Sequence, residues 1–295
     1  MSLCVFLELT MITINVIMTC HNRKEKSRQC IISLLKQNGI QDKFHLRFFI
    51  CDDGSTDGTS EAIKEVVPHA VITVGSGNLF WAKGMAMAME SANMSKCDFY
   101  LMINDDVIFN NNMLEIMLNT YEYGIKKCGD NKIAVSGACY DQNSGAYSYG
   151  GEKIISSGIK EITDIVYPNI PPQICHHANW NCFLISQNYY FHIGDIDKYY
   201  AHSYADYDYS NRITADGGRI YISCQYIGTC CRNEPTGTWK DKQLGLMKRL
   251  KRLEHPTGIP LKSSIHYWRK FDRKHWLLRV MRPYIVILRD IFIKT

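Results

Sequence analysis

The stretch FFICDDGSTDGTS, residues 48–60, decides how this chain is read. An apolar run ends in Asp52-Asp53-Gly54-Ser55-Thr56-Asp57-Gly58-Thr59, three acids within six residues, spaced by glycines and hydroxyls. Three chemistries compete for it. A calcium loop wants oxygen ligands at alternate positions and a closing bidentate Glu. Glu61 is near, but the adjacent Asp52 and Asp53 break the alternation. An aspartyl nucleophile of the phosphatase type wants Asp-x-Asp directly after the strand, and Cys51 stands two before Asp53. A carboxylate pair at a strand end, hydrogen-bonded to a nucleoside, fits best. Gly54 and Gly58 then allow the tight turn, and Thr59-Ser60 caps the next helix.

Around this loop, short apolar runs alternate with helical patterns, the signature of βαβ units and a mainly parallel sheet. Strands are predicted over 11–18, 46–50, 70–74 and 98–103, with helices over 23–37, from Ser60 to Val67, and over 81–93. Each strand ends in a polar cluster: His21-Asn22-Arg23, Asp52-Asp53, Gly75 to Asn78, and Asp105-Asp106. In an open α/β sheet those carboxyl ends border the ligand crevice. Beyond residue 130, longer runs rich in Gly and Tyr suggest antiparallel strands, followed by a helix near YADYDYSNRITADG and a last strand over 219–223. From about 240 the chain reads as helical, basic and aromatic, interrupted by Pro256, Pro260 and Pro283.

Charge divides the chain. The net charge of +5 conceals a C-terminal region, 240–295, with 15 Lys and Arg against 4 Asp and Glu, behind a mildly acidic body. Such a tail suits an anionic neighbour. The 12 cysteines form no C-x-x-C pair and follow no secretory signal, so buried free thiols are expected. No apolar run is long enough to span a bilayer. The first ten residues read as an extension ahead of the opening strand.

Two further acidic constellations stand out. After the fourth strand, Asn104-Asp105-Asp106 puts two acids side by side, where they repel unless a cation offsets them. A hard divalent ion, Mg²⁺ or Mn²⁺, is the natural tenant, and a solvated strand end with Asp106 capping the following helix is the plain alternative. In HSYADYDYSNR, Asp208 and Arg212 are spaced to pair on one helical face, which leaves Asp206 to point elsewhere, into the cleft.

Taken together, TCHNR, DDGSTDGT, GSGNLFWAKGM, NDD and IGDID…YADYDYSNR, in this order between Ile12 and Cys224, resemble family 2 of the glycosyltransferases. These are inverting, nucleotide-sugar-dependent enzymes of the GT-A fold. The resemblance implies a Rossmann-like mixed α/β sheet with a parallel nucleotide-binding half (11–107) and an antiparallel acceptor half (108–239), and the basic amphipathic helical tail (240–295), read from its composition, follows them. It implies a hexosyltransferase, of the bacterial cell-surface polysaccharide type, that takes a nucleotide-sugar, UDP favoured, and a glycan or lipid-linked acceptor.

The resemblance also carries roles onto particular residues. Asp52 would hold the nucleotide base, with Asp53 and Ser55 beside it, and Asn78, Trp81 and Lys83 would line the donor. Trp81 reads equally as a core aromatic. Asp106 becomes the ligand for Mn²⁺ or Mg²⁺, and Asp105 faces the ribose or a metal-bound water. Asp206 is the catalytic base, although Ala205 stands where the family has Glu. His176, Asn179 and Trp180 are candidates for the acceptor side, against a structural role for the histidine. The family's later His ligand is missing from YIGTCCRNEPTG. The tail would lie on an anionic membrane surface of a cytoplasmic, peripheral enzyme, or else pack on the catalytic domain. A catalytically degenerate nucleotide-sugar binding protein and a nucleotidyltransferase are the rival readings, and no nucleic-acid partner is expected.

Overall fold

The computed structural model describes residues 11–158 and 160–292. The extension expected over residues 1–10 lies outside them, as does the end of the basic tail. The first half alternates as its periodicity requires: β1 (Ile12–Cys20), α1 (Lys24–Leu35), β2 (Phe44–Asp52), α2 (Thr59–Val66), β3 (Val71–Val74), α3 (Phe80–Ala92) and β4 (Phe99–Asn104). The second half adds β5 (Ile108–Phe109), α4 (Met113–Cys128), β6 (Ile133–Tyr140), β7 (Tyr147–Tyr149), β8 (Gly151–Ser157), β9 (Glu161–Val166), β10 (Ile174–Cys175), β11 (His177–Ala178) and β12 (Cys182–Ser186). It continues through α5 (Gln187–Ile193), α6 (Ala205–Ala215) and β13 (Arg219–Thr229).

One mixed sheet runs β10-β13-β6-β12-β4-β1-β2-β3, with β5 and β7 on its flank, and β11-β8-β9 form a small second sheet. Strands β3, β2, β1 and β4 are mutually parallel. β12 lies antiparallel between β4 and β6. Beyond it β13 pairs with β6 in parallel, so the antiparallel character of the second half rests on β12, β10, β7 and the small sheet. The chain winds outward from β1 through β2 to β3 and then returns to place β4 on the other side of β1. That reversal makes the ends of β1 and β4 the topological switch point, where such sheets bind ligands.

Alternation along β1 fills both faces of the sheet. Ile17 joins Met85 and Met89 of α3 in one core, whereas Ile14, Val16 and Met18 join Ile31 and Leu34 of α1 and Met117 of α4 in the other. Gly84 lets α3 press onto β1, because a Cβ there would sit 2.2 Å from the Thr19 hydroxyl. The described cysteines are all free, and Cys231 is the one exposed.

The basic C-terminal region forms α7 (Leu246–Leu253), α8 (Leu261–Phe271) and α9 (Trp276–Phe292). Pro283 lies inside α9 rather than breaking it. α8 packs on the body: the Tyr267 ring is buried and stacks on Tyr204 at 4.6 Å, and Lys270 reaches the buried Asp208 at 2.6 Å. No helix among the described residues is long and apolar enough to cross a membrane.

The contact between α3 and β1 generates a stability prediction. In Gly84→Ala, overpacking against Thr19 costs about 1–3 kcal/mol, partly offset by the better helix propensity of Ala, about 1 kcal/mol. The urea midpoint should fall with the slope unchanged; an unaltered midpoint would show that the close approach is not tight.

Candidate active site

The switch point is closed by one cation. Arg23, in the turn after β1, places Nη1 3.0 Å from Asp105 and 3.0 Å from Asp106, the acids that follow β4. Thr19 and Asn104 are directly paired in the β1–β4 ladder, which brings the two turns side by side. Asp105 is buried and its other oxygen accepts from the Ser27 hydroxyl at 3.2 Å. Burial pushes its carboxyl up to about 6, against the pull of the Arg23 guanidinium. Asp106 stays partly open and faces a cavity of about 690 Å³.

The acids of the opening loop mostly hold the loop itself. Asp53 accepts from the backbone N–H groups of Gly77 and Leu79 at 2.8 Å and of Phe80 at 3.1 Å, so its carboxylate caps the start of α3 from another segment. Asp52 is buried, accepts from the Ser55 N–H at 2.9 Å and from the Ser60 hydroxyl, and does not line the cavity. Ser55 in turn accepts from the Asn22 N–H at 2.8 Å. Gly58, at φ 82°, is the N-cap of α2, so Thr59-Ser60 does not cap that helix. Asp57 instead accepts from the Thr59 N–H at 3.1 Å, and Ser60 is taken up by Asp52. Asn78 and Lys83 are exposed and stand outside the cavity.

More of the cavity wall comes from α6 and from the segment between β11 and β12, where the Asn181 carbonyl accepts from the Asn104 N–H at 3.2 Å. Asp206, in the first turn of α6, lines the cavity and accepts from the Tyr207 N–H at 2.9 Å. Enclosure pushes its carboxyl up to about 6, opposed by the Tyr207 N–H and the Asn179 side chain. Its neighbour Asp208 is fully buried and pairs with Arg212 at 3.0 Å. That pair fixes the face of α6 that leaves Asp206 toward the cavity. Trp180 is buried in the same wall, stacked on Phe183 at 5.3 Å, with its indole N–H lacking any partner. Trp81 meets Trp180 edge-on and donates to the Asn104 side chain at 2.9 Å.

Two bulky wall residues, Phe80 at φ 58° and Tyr204 at φ 75°, hold left-handed backbone. Such strain costs on the order of 1–3 kcal/mol and collects at functional sites. His176 turns away, its Nδ1 accepting from the Ile154 N–H at 2.9 Å. Two cavity residues, His202 and Lys240, have little local signal in the sequence, whereas Arg23 belongs to the polar cluster expected at the end of the first strand. Burial pushes His202 down to about 4, which leaves it neutral near pH 7.

Comparison with known proteins now bears on this geometry. The model of glycosyl transferase family 2 matches residues 15–185, more than half of the chain. The chain belongs to this family. No curated protein sequence matches it. Among solved structures it is similar to the mannosyltransferase PcManGT from Pyrobaculum calidifontis in complex with GDP-Man and Mn²⁺. That likeness has 14% identity and a TM-score of 0.50, covering 95% of this chain and 76% of that one. It is also similar to S. aureus TarS in complex with UDP, at 12% identity and a TM-score of 0.52, covering 89% and 73%. These likenesses show the fold, a glycosyltransferase α/β architecture of the GT-A type.

The acids at the end of β4 bear on whether a divalent ion fits this chain. Asp105 is held by Ser27 and Arg23, and the Asn104 oxygen by Trp81. Among the described residues no group of three His, Cys, Asp or Glu side chains forms a cage. Asp106 is met by Arg23 at 3.0 Å and by the Cys230 thiol at 3.6 Å, but it is partly open on the cavity, and one carboxylate completed by diphosphate oxygens and water is a recognised setting for Mg²⁺. The residues fit that mode.

Asp206 gives a prediction with a definite sign. Its folded carboxyl binds a proton up to about 6, above the ordinary 3.8, so its contribution to stability falls as pH rises through that interval. Asp206→Asn should therefore add about 1–3 kcal/mol of stability above about pH 6 and almost none below about pH 4. Urea unfolding of both proteins across that range measures it. A gain independent of pH would contradict the assignment.

Proposed function

We propose that this family 2 glycosyltransferase is an inverting enzyme that moves a hexosyl group from a nucleoside diphosphate sugar to an acceptor hydroxyl. The observation that carries the reading is that Asp206 and the Arg23–Asp105–Asp106 cluster line one and the same cavity. The two neighbours carry a guanosine and a uridine nucleotide, and UDP is the favoured donor nucleotide here. The acceptor is a glycan or a lipid-linked sugar, as in bacterial surface polysaccharide assembly.

In this reading the donor diphosphate lies against Arg23 and Asp106, with Asp53, Asp105 and Trp81 completing its side of the cavity. Asp106 would hold Mn²⁺ or Mg²⁺, which supplies Lewis-acid stabilisation to the departing diphosphate when bound. Asp52 and Ser55 act through the loop they brace. The Asp206 carboxylate takes the proton from the acceptor hydroxyl. The acceptor oxygen then attacks the anomeric carbon from the face opposite the diphosphate. A new carbon–oxygen bond forms as the bond to the diphosphate breaks, and its electron pair leaves with the nucleotide. Arg23 stabilises the charge that develops there. Asn179 orients Asp206, and the free indole N–H of Trp180 is available to a sugar oxygen. A carboxyl raised to about 6 is a better proton acceptor than an exposed one while still ionised at neutral pH.

Residues 11–239 are proposed as the catalytic unit and 240–295 as an appended region that meets an anionic membrane surface. Leu277, Met281, Ile285 and Leu288 are exposed on α9, and Arg282 and Arg289 flank them. That mixture suits a peripheral enzyme on the inner face of a membrane.

Titration calorimetry with UDP and GDP, each with and without Mn²⁺, tests the donor site. Binding that requires Mn²⁺ and is lost in Asp106→Ala is expected; no nucleotide binding under any condition overturns the reading. Asp206→Asn should keep nucleotide affinity and lower turnover about 10²- to 10⁴-fold. The product should carry the anomeric configuration opposite to the donor's, read by NMR.

A further inference from the structure

A second cavity, of about 570 Å³, adjoins the first and shares Tyr204, Tyr207, Lys240 and Ile259 with it as walls. Its floor is the small sheet and its far side is α9. Seven Lys and Arg side chains line it against three carboxylates. Several of these charges already have partners. Asp290 is met by Arg249 at 3.0 Å, Arg289 at 3.4 Å and Lys242 at 3.9 Å, and Arg279 pairs with Asp272 at 2.8 Å. Lys160, Lys240 and Arg282 have no carboxylate partner among the described residues. Cations gathered around a cavity repel one another, and an anionic occupant relieves that repulsion.

A neutral donor or acceptor stands beside them. His177 is 2% exposed and lines this cavity; its Nδ1 makes no hydrogen bond and lies 3.8 Å from the Glu161 carboxylate. The imidazole stacks on Tyr207 at 4.5 Å with an interplanar angle of 12°. Tyr207 follows the proposed base directly and faces both cavities. The donor diphosphate already has its own cation, Arg23, in the first cavity. Of the further cations, Lys160 and Arg282 line the second cavity only, and Lys240 lines both.

We propose that the second cavity is an acceptor subsite for a phosphate or diphosphate group, so that the acceptor is a phosphate-linked glycoside. Its sugar hydroxyl reaches Asp206 past Tyr207, while its phosphate rests among Lys160, Lys240 and Arg282. This rests on the reading of Asp206 as the base and adds the acceptor's chemical class to it. The phosphate could be carried by a lipid or by a soluble phosphodiester, and α9 favours the lipid. Leu277, Leu278, Met281, Ile285 and Leu288 fall on one arc of α9, about 100° wide. Arg282 and Arg289 lie between that stripe and the cavity, where a lipid phosphate would sit with its chain along the stripe.

The test uses the full chain with its donor site filled by UDP and Mn²⁺, titrated with farnesyl diphosphate and, separately, with inorganic diphosphate. The comparison protein is the double variant Lys160→Gln with Arg282→Gln, two exposed positions that line the second cavity and not the first. The proposal expects wild type to bind at least one probe and the variant to bind it on the order of tenfold more weakly. UDP affinity should be equal in the two proteins. Tighter binding of farnesyl diphosphate than of inorganic diphosphate assigns the phosphate to a lipid, and equal binding assigns it to a soluble source. Undiminished binding by the variant, or no binding of either probe by wild type, overturns the proposal. Absence of UDP binding would instead sink the donor reading, and the variant comparison still reads the second cavity.

Discussion

The Arg23 guanidinium, shared between Asp105 and Asp106, is the interaction on which the rest of this site depends. Two adjacent carboxylates at the end of a buried strand repel each other, and Asp105 has also lost most of its water. Removing their cation would leave a buried charge uncompensated, an expensive arrangement. Arg23 meets that need because β1 and β4 are neighbours in parallel register, so the turn after one lies beside the turn after the other. The sheet order thus sets the electrostatics. The same order leaves Asp106 on the cavity, next to a permanent positive charge, and the proposed donor diphosphate would meet both there.

The acids of residues 52–57 serve a different end from the one their density suggests. Asp53 satisfies three backbone N–H groups around the start of α3, and Asp52 ties its own loop to α2 through Ser55 and Ser60. Asp57 accepts from the first N–H of α1 at 3.0 Å. These carboxylates replace caps that the helices lack in their own sequences. Asp53 also holds Phe80 by its N–H and, through its backbone carbonyl, the His21 ring at 2.6 Å, two residues that reach the cavity. The loop is a brace for the site more than its lining.

Much of this was legible in the amino-acid sequence, and the remainder has physical reasons for being hidden. The strands β1 to β4 and the pairing of Asp208 with Arg212 follow from local periodicity, which a short window contains. So does the turn of Asp206 toward the cleft, because its neighbour is held on another face. The contact of Arg23 with residues 82 and 83 positions away leaves no local trace. Lys240 and His202 are brought in by the tail and by the loop before α6, and their placement depends on packing. Whether Asp52 or Asp53 reaches the cavity is a matter of side-chain direction within one turn, and composition is blind to it. Similarly, His176 stands in the bend between β10 and β11 and turns to β8, whereas His177 opens β11 and lines the second cavity. Pro283 sits inside α9 because tertiary contacts outweigh the loss of one helical hydrogen bond.

The most direct test of the account is a crystal structure of the chain grown with a nucleoside diphosphate and Mn²⁺. The diphosphate is expected at the ends of β1 and β4, against Arg23 and Asp106, with Asp206 lining the same cavity. A nucleotide bound elsewhere, with the Arg23 pairs to Asp105 and Asp106 unchanged, would contradict it.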